Sequence, residues 1–215
     1  MVGIGSEDKM KVIGLTGGIG GGKSSVLREF KLNGAAVLDT DALSREVVNP
    51  LTAQGKKTLQ NIAQCFGPQS ISGHQLNRTY LKELIAQDQE FQKKLEAITH
   101  PEILFLVQEF LKEQFQNGTA ICVIEGTRLV ESGFAKDLDA LVMVESPLES
   151  RITRVMERDH IERAFVERLI SIQNLSTMRS AAQYFIHNDS DLNHIKSQVE
   201  ELIKKLSVNN TKEIK

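Results

Sequence analysis

Apolar residues along this chain fall into short unbroken runs, separated by longer stretches in which they recur every three or four positions. The first run, Lys11-Val12-Ile13-Gly14-Leu15-Thr16, has the length and β-branched content of a buried strand. Runs at 35–39, 119–125, 139–145 and 184–188 predict four more. Helical spacing predicts a helix from Ser25 closed by Gly34, and others over 42–48, 148–158, 164–179 and 191–206, with Ser146-Pro147 capping the 148–158 helix. Residues 51–117 carry no strand pattern. They predict helices at 55–65, 77–86, 88–99 and 101–116, with Asn77 and Asp88 as caps, Pro101 in a first turn and 67–75 as a loop. Strands alternating with helices predict an α/β fold, a parallel sheet with helices on both faces. An insertion of this size exceeds a plain crossover and predicts a helical substrate-binding lobe.

Composition narrows the setting. A chain of 215 residues with 40% hydrophobic residues supports one α/β core plus an insertion. A net charge of −2 argues against nucleic-acid binding driven by bulk electrostatics. No apolar run reaches membrane-spanning length and no signal peptide pattern opens the chain, so a soluble, cytoplasmic protein is expected. Cys65 and Cys122 are isolated and the five histidines lack ligand spacing, which suggests neither disulfides nor a zinc site. Residues 1–9 and 207–215 read as flexible ends.

Directly after the first strand stands Gly17-Gly18-Ile19-Gly20-Gly21-Gly22-Lys23-Ser24, followed by a helical pattern. Strand, G-x-x-x-x-G-K-[ST] and helix in that order are the context of a phosphate-binding loop. Glycines let successive N–H groups crowd around phosphate oxygens, and the helix N-terminus adds positive field. Gly18 to Gly22, Lys23, Ser24 and Ser25 are therefore candidates for nucleoside-triphosphate binding, with Lys23 at the β/γ-phosphates and the Ser24 hydroxyl on Mg²⁺.

Further candidates sit at strand ends. Asp39-Thr40-Asp41 ends the second strand, and either carboxylate is placed to take a proton from an attacking hydroxyl. In kinases built on such a loop, the strand ending at Glu125 usually lies beside the loop strand, and its carboxylate holds Mg²⁺ or its water shell. The arginine-rich stretch 151–163 reads as a lid that brings guanidinium groups onto transferring phosphates, with Arg158 the first choice. His100 gains no role from spacing alone.

Taken together these residues resemble the dephospho-CoA kinase family from Val12 to about Leu206. Gly14-Leu15-Thr16-Gly17-Gly18-Ile19-Gly20-Gly21-Gly22-Lys23-Ser24 is close to the family's G-L-T-G-G-I-G-S-G-K-[ST], and Asp39-Thr40-Asp41-Ala42-Leu43-Ser44-Arg45 to its D-A-D-x-x-A-R. Phe66-Gly67, His100-Pro101, Arg154 to Asp159, Gln173 and Asn188 fall at matching places. The resemblance implies a P-loop kinase core of five parallel strands over 10–48 and 118–206, a helical insertion at 49–117 that holds dephospho-CoA, and a helical lid at about 151–175. It implies ATP-dependent phosphorylation of the ribose 3′-hydroxyl of dephospho-CoA, with Mg²⁺, in a monomer or weak homo-oligomer. Asp41 would be the base, Arg45 and His100 would bind substrate, Arg158 would come from the lid, and Asn188 would lie near the adenine. Two departures stand out: Thr127-Arg128 replaces the family's Pro-Leu, and Ala182-Gln183 replaces its Ala-Asp. Alternatives are a kinase for another nucleotide or small alcohol, or a nucleotide-binding module without catalysis.

Overall fold

The computed structural model describes residues 10–208, so the leader expected over residues 1–9 and the tail from residue 209 lie outside them. In chain order the elements are β1 (Lys11–Gly17), α1 (Lys23–Leu32), β2 (Ala36–Asp39), α2 (Thr40–Glu46), α3 (Ala53–Phe66), β3 (Ile71–Ser72), β4 (Gln75–Leu76), α4 (Arg78–Gln87), α5 (Gln89–Gln116), β5 (Ile121–Glu125), β6 (Ala140–Glu145), α6 (Leu148–Asp159), α7 (Arg163–Ser171), α8 (Leu175–Ala181), β7 (Tyr184–His187) and α9 (Leu192–Val208). They form two units, Asp39–Glu113 and the described residues on either side of it.

The flanking unit holds the parallel five-stranded sheet, in the order β2-β5-β1-β6-β7. β5 is buried throughout, and β1 and β6 nearly so, which is why their sequences read as continuous apolar runs; β2 and β7 at the edges are only partly buried. Ile13, Leu15, Val123, Val142 and Val144 pack on Val26 and Phe30 of α1 and on Ile195, Val199 and Leu202 of α9. Each such side chain contributes about 1.5–3 kcal/mol on leaving water. β1 lies directly between β5 and β6, in register from Lys11 opposite Ile121 and from Ile13 opposite Ala140, so its C-terminal end opens the loop at the middle of the sheet. α8 packs against β1 and β6.

The Asp39–Glu113 unit has its own core of Val47, Val48, Leu59, Ile62, Phe66 and Leu81, with Tyr80, Phe91 and Leu95 packed around it. Here the structure departs from the expected elements. Residues 71–76 form a short antiparallel hairpin, with Ile71 opposite Leu76 and Gly73 in a left-handed turn at φ 62°. Strand runs of two residues are too short to register as a periodicity. The helices expected at 88–99 and 101–116 are one continuous α5, with Pro101 inside it. Proline forfeits one helical hydrogen bond and costs about 3 kcal/mol. Apolar residues on both sides of it, Leu95, Ile98, Ile103 and Leu106, bury against the same core and carry the helix through.

Details in the rest of the chain also differ, among them the start of the first helix, at Lys23 and not Ser25, and of the strand expected over 119–125, at Ile121. The helix expected over 164–179 is broken into α7 and α8, because the Asn174 side chain accepts from Thr177 N–H at 3.1 Å and starts a new helix. Ser146 does not cap α6: its hydroxyl donates to Asn188 O at 2.8 Å instead, and Pro147 holds the cap position without a side-chain bond. α9 continues past Leu206 to Val208, with the Ser207 hydroxyl bonded to Ile203 O at 2.9 Å. Among the described residues no helix is long and apolar enough to cross a membrane.

Close packing near the start of α3 offers a test of the second unit. A Cβ at Gly55 would sit 2.0 Å from the backbone oxygen of Asn49. Gly55→Ala therefore destabilises the fold by about 1–3 kcal/mol, read as a lower urea midpoint; an unchanged midpoint would show that the Asn49 backbone gives way freely.

Candidate active site

The loop between β1 and α1 is shaped by donors that grip its carbonyls. Arg151 Nε donates to Ile19 O at 2.9 Å, Arg154 Nη1 to Gly20 O at 3.2 Å, and Asn188 Nδ2 to Gly21 O at 2.9 Å. In a trans peptide the C=O and the next N–H point in opposite directions. Holding Ile19 O and Gly21 O outward therefore turns the N–H groups of Gly20 and Gly22 toward the inside of the loop. Gly21 N–H closes on Gly18 O at 3.0 Å, which makes the turn tight. The result is a concave nest of backbone donors at the N-terminus of α1, suited to an anion.

The glycines here are demanded by space as well as by dihedral angle. Gly22 has φ 89°, and a Cβ on it would fall 1.9 Å from Asn188 Nδ2. Gly18 leaves 2.3 Å between a notional Cβ and Arg151 Nη2. The side chains that hold the loop occupy the volume that larger residues would need.

Lys23 Nζ donates to Gly17 O at 3.1 Å and lies 3.7 Å from Glu125 Oε1. Glu125 ends β5 and is 7% exposed, so its carboxylate is held at the loop. Ser24 is exposed in the first turn of α1 and Ser25 is half-buried. A strand-end carboxylate, a hydroxyl and phosphate oxygens make a hard-oxygen donor set that fits Mg²⁺.

Arg154 is shared among several partners: its Nη1 also donates to Ser146 Oγ at 2.8 Å and its Nη2 to Asn188 Oδ1 at 3.3 Å. Arg151 is 6% exposed, and burial pulls its guanidinium below the ordinary range. Arg158, one turn further along α6, is exposed and makes a bidentate pair with Asp159 at 2.6 and 2.7 Å. That bond raises Arg158 and lowers Asp159 from their ordinary values. The structure thus brings Arg151 and Arg154, rather than Arg158, onto the loop. Their i, i+3, i+7 spacing is visible in the sequence, but which members are buried is not. A cavity of about 680 Å³ opens beside Gly22, lined by Ser25, Arg154, Asn188 and the first residues of α9.

In the Asp39–Glu113 unit, Asp39 and Asp41 take different places at the start of α2. Asp39 Oδ1 accepts from Asp41 N–H at 2.8 Å and Ala42 N–H at 3.3 Å, so this carboxylate caps α2. Asp41 and Arg45 are exposed one turn apart on α2. Arg45 lines a cavity of about 340 Å³ with Asn49, Gln75 and Arg78. His100 is half-buried on α5.

The two departures find places. Thr127 and the exposed Arg128 follow Gly126, while Leu129 keeps the buried apolar position of that turn at 3% exposure. Gln183 uses its side-chain oxygen to accept from Leu141 N–H at 2.7 Å, joining the start of β7 to β6.

A phosphate loop on the central strand of this sheet, backed by an arginine-bearing helix, defines a P-loop kinase. The model of the dephospho-CoA kinase family matches residues 11–194, and the chain belongs to that family. A dephospho-CoA kinase of Moorella thermoacetica is 40% identical over 172 residues, covering 79% of each chain. One of Syntrophotalea carbinolica is 36% identical over 199 residues, covering 92% of each. The crystal structure of TT1252 from Thermus thermophilus superposes with a TM-score of 0.79 at 29% identity, over 92% of this chain and 98% of that one.

Gly22→Ala tests the geometry of the loop. With the Cβ contact and a φ of 89° to strain it, the variant loses ATP affinity by about a hundredfold or more while its far-UV circular dichroism is unchanged. Parent-like titration with ATP would show that the loop does not need this glycine.

Proposed function

We propose that the protein transfers the γ-phosphoryl group of ATP to the ribose 3′-hydroxyl of dephospho-CoA, giving CoA and ADP, with the residues of this chain in the roles that follow. The observation that carries the reading is the family match, which spans the phosphate loop, the Asp39-Thr40-Asp41 motif and the α6 arginines together. Gly18 to Gly22 and Ser25 form the triphosphate site, with the N–H groups of Gly20 and Gly22 facing the phosphates, and Lys23 places its charge on the β/γ oxygens. The adenine occupies the cavity beside Gly22, against Asn188 and Arg154. Ser24 and Glu125 would hold Mg²⁺, which when bound neutralises charge on the β- and γ-phosphates.

Asp41 takes the proton of the attacking hydroxyl, a role supported by the use of Asp39 as a helix cap. Arg45 and His100 bind dephospho-CoA, with the Arg45 cavity as one of its contacts. Segment 151–175 acts as the lid, and Arg158 leaves Asp159 to reach the transferring phosphoryl group. The setting is cytoplasmic, the partner is a small molecule, and the protein is a monomer or weak homo-oligomer. A net charge of −2 provides no bulk attraction to nucleic acid.

ADP release in the presence of ATP and Mg²⁺ tests this, with dephospho-CoA, AMP, adenosine or no acceptor. Turnover confined to dephospho-CoA is expected; turnover on another acceptor keeps the kinase and moves its specificity. In Asp41→Asn, kcat falls by about 10²–10⁴-fold with ATP affinity retained. Near-parent turnover in that variant removes Asp41 as the base.

A further inference from the structure

Gln173 stands in the three-residue break between α7 and α8, claimed by neither helix. Its Oε1 accepts from Ile19 N–H at 2.9 Å and from Arg151 Nη2 at 3.1 Å. Arg151 in turn donates from Nε to Ile19 O at 2.9 Å. Both backbone polar groups of Ile19 are therefore held by one side-chain pair, in a closed circuit of Gln173, Arg151 and Ile19. Two donors converge on a single oxygen and use both its lone pairs, which fixes the orientation of the Gln173 amide: turned over, its NH₂ would face two N–H groups.

We propose that Gln173 is a positioning residue for phosphoryl transfer, which sets the Gly18–Ile19 peptide and aligns Arg151. The peptide plane on each side of Ile19 decides where the neighbouring N–H groups point. Arg151 fixes the Ile19–Gly20 plane through Ile19 O, and Gln173 fixes the Gly18–Ile19 plane through Ile19 N–H. Without Gln173, Arg151 keeps its charge in a buried place with one donor unmatched, and Ile19 N–H is left without its acceptor. The Gln173 backbone belongs to the segment that joins α7 to α8, so a displacement of α7 reaches the loop through this side chain as well as through the apolar cluster in which Ile19 packs with Val166 and Ile170. Nucleotide binding and the position of α7 are thereby linked.

The proposal rests on residues 18–24 binding ATP and not on the identity of the acceptor. Its test is ATP affinity measured with no acceptor present, in Gln173→Met, which conserves volume, and Gln173→Glu, which keeps an acceptor oxygen. Gln173→Met raises the Kd for ATP roughly tenfold in folded protein, the effect of two part-buried donors left unmatched. In steady state it raises KM for ATP and leaves KM for the acceptor unchanged. The Ile19 amide proton moves upfield in the ¹H–¹⁵N spectrum. Gln173→Glu binds ATP more tightly than Gln173→Met. Parent-like ATP affinity in Gln173→Met, an equal change in both KM values, or weaker binding by Gln173→Glu than by Gln173→Met would overturn it. Failure of the parent protein to bind ATP would instead overturn the reading of the loop.

Discussion

A loop that binds phosphate has to turn its carbonyls away from the anion and keep them there. Carbonyl oxygens carry partial negative charge, and a glycine-rich segment has little intrinsic preference for the conformation required. In this protein the preference is supplied from outside the loop, by Arg151, Arg154 and Asn188 on the carbonyls of Ile19, Gly20 and Gly21. These donors come from α6 and from the end of β7, far along the chain. The whole C-terminal half of the sheet is thus needed to shape a motif that is complete by Ser24. Side chains that fix a loop's backbone reduce the ordering that a ligand has to impose on binding.

The same arrangement accounts for the electrostatics around the loop. Arg151 is buried with its hydrogen bonds directed at neutral oxygens, so its charge contributes to the field at the loop without being cancelled by a carboxylate. Lys23 is held between Gly17 O and Glu125, which places the ammonium and a carboxylate at the end of adjacent strands β1 and β5. Arg158 belongs to another regime: exposed and paired with Asp159, it contributes little to stability and is available for movement. One helix therefore carries arginines that hold the loop backbone and an exposed arginine paired with its neighbour.

Much of this was legible in the residues. The five strands announce themselves as apolar runs, because a parallel sheet buried on both faces leaves its central strands no polar alternation. The phosphate loop is legible because its glycines, lysine and serine keep a fixed spacing between a strand and a helix. Other features were not. Pro101 marks a helix start locally, yet Leu95, Ile98, Ile103 and Leu106 share one core, so tertiary packing overrides it. Asn174 inside a helical pattern is a weak signal whose effect depends on Thr177 N–H being within reach. Ser146 before a proline looks like a cap, but Asn188 and Arg154 compete for it from distant parts of the chain. That Asp39 caps α2 is likewise set by which carboxylate meets the first N–H groups of the helix.

The most direct test of this account is a crystal structure with a non-hydrolysable ATP analogue. The account predicts that Ile19, Gly20 and Gly21 keep their carbonyls on Arg151, Arg154 and Asn188, with Gly20 and Gly22 N–H groups on phosphate oxygens. A bound nucleotide around which those three side chains have released the loop, or in which the loop peptides have turned over, would contradict it.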